Sequence, residues 1–108
     1  MANTFTSYMN KDVGTSASTV VTVGASTQTT IIGLSFANTT NAPITASAYI
    51  TRSAVNYYLI EDATVPVGSS LVVVGGDQKV VMVTGDALKV ITSAAASADV
   101  ITSVLNIT

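Results

Sequence analysis

The chain contains no cysteine and no histidine. The first absence excludes disulfides and thiolate metal sites. The second removes the commonest general base, the commonest zinc ligand and the usual pH switch together. Charge is nearly as scarce. Charged residues make up 9% of the chain, against about 25% in an ordinary soluble domain. The four cations, Lys11, Arg52, Lys79 and Lys89, are scattered, and the formal net charge is −2. They cannot form the basic stripe that a phosphate backbone demands, so no nucleic-acid partner is expected. No apolar run approaches the ~20 residues of a membrane helix. The opening stretch, Met1–Asp12, lacks the basic and apolar regions of a signal peptide. The expectation is a chain made in a cytoplasm, with no membrane partner.

Threonine, serine, alanine and valine fill the place of the missing charge. A monomer facing water on all sides normally carries more charge for solubility. A surface packed against neighbours does not need it. A hydroxyl-rich soluble surface, common among extracellular β-domains, is the other reading, and composition leaves both open.

The most informative stretch is Val65–Leu105. It reads as four apolar runs, Leu71–Val74, Val80–Val83, Leu88–Ile91 and Val100–Leu105, punctuated by Gly, Asp, Ser or Ala. Strand alternating with turn is the economical interpretation. Upstream, Thr19–Val23 is a β-branched run. Thr29–Ala37 alternates, with Ile32, Leu34 and Phe36 expected toward the core and Gly33 marking a bulge or a close approach on the outer face. Ile44, Ala46, Ala48 and Ile50 form one face of a further strand, opposite Thr45, Ser47, Tyr49, Thr51 and Ser53. One dry and one wet face describe an antiparallel sandwich. A short link at Ala54–Asn56 predicts a hairpin into Val55–Glu61, with either Tyr57 or Tyr58 turned inward. Pro66 and Gly68 fit a type II turn, and Gly75-Gly76-Asp77 and Gly85-Asp86 fit tight turns. Ser93–Ala98 reads as a loop with one turn of helix at most. Val100–Ile107 is apolar on both faces, which predicts a central strand or one covered by a partner.

The fold class is therefore all-β: a single antiparallel sandwich of about eight strands, immunoglobulin-like or jelly-roll. Residues 1–13 form an N-terminal arm or edge strand, and residues 14–108 form the sandwich domain. Phe5, Tyr8 and Met9 are the bulky residues of that arm, which could reach onto a neighbouring subunit or dock at home.

No catalytic constellation emerges. Asp77, Asp86 and Asp99, with Glu61-Asp62, sit at strand ends. Three of them meeting at one end could hold calcium, but Asp beside Gly is the ordinary turn residue. No metal site, cofactor or catalytic residue is assigned, and the chain is read as non-enzymatic. No serine has a base beside it. Lys79 and Lys89, alternating with valines, read as charges that block edge pairing. The residues suited to recognition are aromatic or Arg: Tyr49, Arg52, Tyr57 and Tyr58 in one segment, and Phe5 and Tyr8 in the arm. These six are the interface candidates. The tyrosines would also suit a host-surface carbohydrate-binding module.

The order of the motifs is distinctive. A Pro66-x-Gly68 turn leads into Leu71–Val74. Gly85-Asp86-x-Leu88-x-Val90, a small-residue loop, Ala98-Asp99-Val100 and a closing strand follow. With the upstream run Ile31–Ser53, this order resembles a group of small virion structural proteins of tailed bacteriophages. The resemblance implies a β-sandwich located in the virion, as a capsid decoration or cement protein or as a tail, neck or fibre component. It implies the major capsid protein or other virion proteins as partners, and homo-oligomers. It implies no enzyme activity and no cofactor.

Overall fold

Valine, isoleucine and threonine recur through nine segments among the described residues, and each segment forms a strand. The structure, a computed structural model, describes residues 3–75 and 79–108. The strands are β1 (Asn3–Val13), β2 (Ser18–Thr22), β3 (Gln28–Asn38), β4 (Ile44–Arg52), β5 (Val55–Val65), β6 (Ser70–Val74), β7 (Val80–Met82), β8 (Ala87–Thr92) and β9 (Ala98–Ile107). No helix forms among the described residues. The single helical turn allowed for Ser93–Ala98 is instead a bend, with Ala96 in the left-handed region at φ 48°.

Two antiparallel sheets result. Sheet A runs β1-β9-β3-β6, with β7 also paired to β3, and sheet B runs β2-β8-β4-β5. β6 lies opposite Leu34–Ala37 and β7 opposite Thr29–Ile31, so the two are collinear along one edge. Counted as one interrupted strand, they turn the orders into first-eighth-third-sixth and second-seventh-fourth-fifth. That is the order produced by rolling up one long antiparallel hairpin, the jelly roll. An immunoglobulin-like sandwich would group its strands differently, so strand order decides between the two architectures. The segment 1–13 resolves likewise: from Asn3 onward it is the edge strand of sheet A, paired with β9. The expected turn at Gly75-Gly76-Asp77 lies partly outside the described residues.

Between the sheets lies one apolar cluster. Ile31, Leu34, Phe36, Val100, Val104, Val74 and Met82 come from sheet A, and Ile44, Ala46, Ala48, Val65, Leu88 and Val90 from sheet B. Each large side chain so buried contributes about 1.5–3 kcal/mol. The inward phase of β3 differs from simple alternation. Ile31 is buried and Ile32 only half-buried, because the register with β9 shifts between Ile31 and Gly33. That bulge spends one residue and moves the inward set to Ile31, Leu34 and Phe36. Gly33 faces outward beside Ser103, as its sequence context suggested.

The turns carry their own chemistry. Ser69 N–H donates to Pro66 O at 3.3 Å across Gly68, whose φ is 68°. Asp86 N–H donates to Val83 O at 3.0 Å across Gly85, φ 92°. The second turn carries the chain from sheet A to sheet B rather than closing a hairpin. The true two-residue hairpin joins β4 to β5 at Ser53-Ala54, with φ of 53° and 63°. Two positive φ values define a type I′ turn, matched to the twist of paired strands.

One core detail yields a test. Thr102 lies between buried Val100 and Val104 on the inner face of β9, and its Oγ1 is buried without a hydrogen-bond partner among the described residues. A desolvated, unpaired hydroxyl costs about 1–3 kcal/mol. Thr102→Val, which keeps the branched shape, is expected to raise stability by about 1 kcal/mol. Urea denaturation checks this, and a loss of stability would show that the hydroxyl has a partner.

Candidate functional site

The outer face of sheet A is the most unusual surface of the molecule. Register fixes its rows. Phe5, Leu105, Thr30 and Val81 align across β1, β9, β3 and β7. Two residues along, Ser7, Ser103 and Gly33 align. Two further, Met9, Ile101, Ser35 and Val72 align across β1, β9, β3 and β6. Directly opposed residues share a face, so these three rows project to the same side. Phe5, Met9, Val72, Val81 and Ile101 are between 49% and 73% exposed. None of the three rows contains a charged residue. At one end of the face Lys11 Nζ pairs with Asp99 at 3.5 Å, and Lys79, two residues before Val81, stands at its β7 edge. Monomeric proteins expose single apolar residues freely but seldom gather them on one uncharged face.

Sheet B is different. Its outer face carries Tyr49, which is 8% exposed because Tyr58 and the Lys89 side chain flank it in register. The Tyr49 and Tyr58 rings are tilted, with centroids 4.9 Å apart, within the range for a favourable aromatic pair. Lys89 is thus on a central strand, not an edge, and its charge does not guard a free ladder. Neither Tyr57 nor Tyr58 is in the core. In unbroken register from the turn, Tyr57 lies opposite Ile50 and Tyr58 opposite Tyr49; the register of β5 shifts only beyond Tyr58, one shift lying at Asp62, φ 52°. Both lie on an edge strand and are exposed. The Ser47 hydroxyl accepts the Asp62 N–H at 2.9 Å and seats that bulge.

Arg52 has a structural partner. Its Nε and Nη2 donate to the two oxygens of Asp86 at 2.8 and 2.7 Å. The Asp86 side chain is 1% exposed, and it also accepts the Val83 N–H at 3.0 Å. Hydrogen bonding from Arg52 first, then from the Val83 backbone, holds its carboxyl below the usual aspartate range, against the opposing effect of burial. Arg52 is correspondingly raised by the same bond and charge. With Ile50 and Tyr57, Arg52 lines a shallow indentation of about 210 Å³.

The six interface candidates therefore do not form one site. Phe5 stands on the outer face of sheet A. Tyr8 turns toward the core, where its hydroxyl accepts a long bond from Asn106 Nδ2 at 3.4 Å. Tyr49 and Tyr58 stack on sheet B, and Arg52 and Tyr57 sit at the end of β4 and β5. Met9, Val72, Val81 and Ile101 were missing from the candidates. The alternation of Phe5, Ser7 and Met9, and of Ile101, Ser103 and Leu105, is the only signal for Met9 and Ile101; Val72 and Val81 lie in runs that are apolar at every position and mark no face. Among the described residues no three His, Cys, Asp or Glu side chains gather, and Asp77 lies outside those residues.

The fold and this surface define a two-sheet jelly roll with an uncharged apolar face. Compared with known proteins, the chain matches no family model, no curated protein and no solved structure.

Proposed function

We propose that the chain is a non-enzymatic virion structural protein, a capsid cement or decoration protein that bridges major capsid subunits of a tailed bacteriophage. One observation carries this reading: apolar side chains stand exposed on both sheets of a chain in which only 9% of residues are charged. A bridge needs adhesive surfaces on two sides. The outer face of sheet A supplies one. The exposed edge strand β5 supplies the other, with Val55 and Tyr57 on one of its faces and Tyr58 on the opposite one, each about half exposed or more. The order of motifs, in its resemblance to small phage virion proteins, supports the same reading. The mechanism is mechanical: interface area added across a junction must be lost before the shell can rupture, which raises that barrier.

The test is association with particles. The recombinant chain is expected to co-sediment with shells assembled from the major capsid protein of the same genome, and to raise their rupture temperature. Tyr57→Ala with Tyr58→Ala should weaken shell binding at least tenfold. No association with shells would end the cement reading, and labelled chains imaged at the tail or neck would relocate it. Glycan binding by the free chain, lost with the same tyrosines, would replace it with a carbohydrate-binding module.

A further inference from the structure

We infer that the outer face of sheet A is closed by a second copy of this chain, packed face to face, with an apolar ridge of each copy seated in a small-residue trough of the other. The inference builds on the structural-protein reading above and assigns one of its two adhesive surfaces.

The relief of the face carries the argument. The row of Phe5, Leu105 and Val81 is one ridge, and the row of Met9, Ile101 and Val72 is a second. Between them Ser7, Ser103 and Gly33 form a trough across three adjacent strands, bounded on β3 by the bulged, half-buried Ile32. Alternate residues on a strand are about 6.7 Å apart, so each ridge lies that far from the trough. A two-fold axis in the plane between the facing sheets, running along the rows and perpendicular to the strands, reverses the row order of the partner. Set midway between one ridge and the trough, it places that ridge of each copy over the trough of the other. Ridge and trough have the same spacing because one strand rise sets both, so the face is complementary to itself. An isologous contact of this kind closes after two copies and leaves no open end for growth.

Size and charge fit a weak contact. Four strand positions by about nine residues, rim included, cover on the order of 500–600 Å², below the ~800 Å² per partner of a standard interface and in the range of a weak, transient one. The three rows hold no charge to desolvate, and Lys11 and Asp99 stay at the rim as a pair already formed. Sheets stack about 10 Å apart when large residues interdigitate with small ones, which is the arrangement the trough permits.

The trough also gives the discriminating experiment. A Cβ on Gly33 would meet only the Ser103 Cβ at 3.9 Å, an ordinary contact, and Gly33 does not need a positive φ. Substitutions at Gly33 and Ser103 therefore alter the outer relief without touching the core. An interface of this size is expected to hold in the micromolar to millimolar range. Sedimentation velocity of the intact chain, with its concentration raised from about 1 µM to about 1 mM to span that range, should show twice the 11.0 kDa monomer mass. Ser103→Glu and Gly33→Glu should each weaken the dimer at least 100-fold with the melting temperature retained. Ser103→Phe separates fit from stickiness: it makes the face more apolar, yet filling the trough should weaken the dimer tenfold or more. Tyr57→Ala, on the opposite sheet, should leave the dimer unchanged.

A monomer at all concentrations would overturn the inference, as would stronger association of Ser103→Phe, which indicates unspecific apolar contact. Flotation of the chain with phosphatidylcholine vesicles, abolished by Ser103→Glu, would also overturn it by assigning the face to lipid. A monomer that still co-sediments with shells would sink this inference alone. A dimer that never binds shells would sink only the cement reading.

Discussion

Asn38→Ala is expected to destabilise the chain by about 3 kcal/mol, the largest effect of any single polar substitution here. The side chain is 6% exposed and fully engaged. Its Nδ2 donates to the carbonyls of Ala42 at 2.9 Å, Val65 at 3.1 Å and Pro66 at 3.3 Å. Its Oδ1 accepts the Thr40 N–H at 2.9 Å and the Thr40 hydroxyl at 2.8 Å. The amide thus ties the end of β3, the 39–43 loop and the end of β5 into one corner. Alanine leaves several buried groups unpaired, at about 1–3 kcal/mol each before relaxation. The measurement is urea unfolding, with a melting temperature lower by about 10 °C or more. Asn38→Asp provides the control. It keeps the shape but sets a carboxylate against three carbonyls, so at neutral pH it should be at least as damaging as alanine. Protonation turns the carboxyl into a donor, so its stability should partly recover as the pH falls. A cost below about 1 kcal/mol for Asn38→Ala would show that water replaces these bonds.

Asp86→Ala is expected to cost about 2–3 kcal/mol at neutral pH. It removes the acceptor for both the Arg52 guanidinium and the Val83 N–H, at the turn that carries the chain between sheets. The pH dependence follows in sign. The folded carboxyl is held below its ordinary value, so its contribution is fully present above the unfolded value of about 3.9. It is lost as the pH falls through the lower folded value. Wild-type stability should therefore drop below about pH 4, and Asp86→Asn should flatten that part of the curve while lowering stability at neutral pH. Arg52→Ala should lower the melting temperature at neutral pH as well, because it leaves a buried carboxylate without its cation. Parallel acid profiles for wild type and Asp86→Asn would show that this pair does not govern the acid response.

Local signals made most of the fold legible. Val, Ile and Thr runs marked the strands, and the glycines at 68 and 85 marked turns that need positive φ. Gly33 announced the bulge, but not that it would move the inward residue from Ile32 to Ile31, since a register shift exists only once β9 is in place. The tyrosine and Arg52 group misled for a related reason. Residues close in sequence alternate across a strand, and that alternation alone splits Tyr57 from Tyr58. Asn38 carries no local mark of its role, because two of its partners, Val65 and Pro66, lie 27 and 28 positions away. The apolar face of sheet A was visible as two separate alternations. Joining them required the pairing of Phe5 with Leu105, which no local rule supplies.

The position of β9 has a consequence for how this chain comes into being on a ribosome. The last of the described strands to be synthesised is wedged between β1 and β3. Until it emerges, β1 lacks its ladder partner and β3 is missing half of its pairing. Sheet A can therefore close only after Ala98–Ile107 has been polymerised. Such long-range closure belongs to the slow end of small-domain folding, on the order of milliseconds to seconds. Meanwhile the nascent strands, with few charges to keep them apart, stay open to pairing with one another, so productive folding is a race against the crowding of neighbouring polysomes.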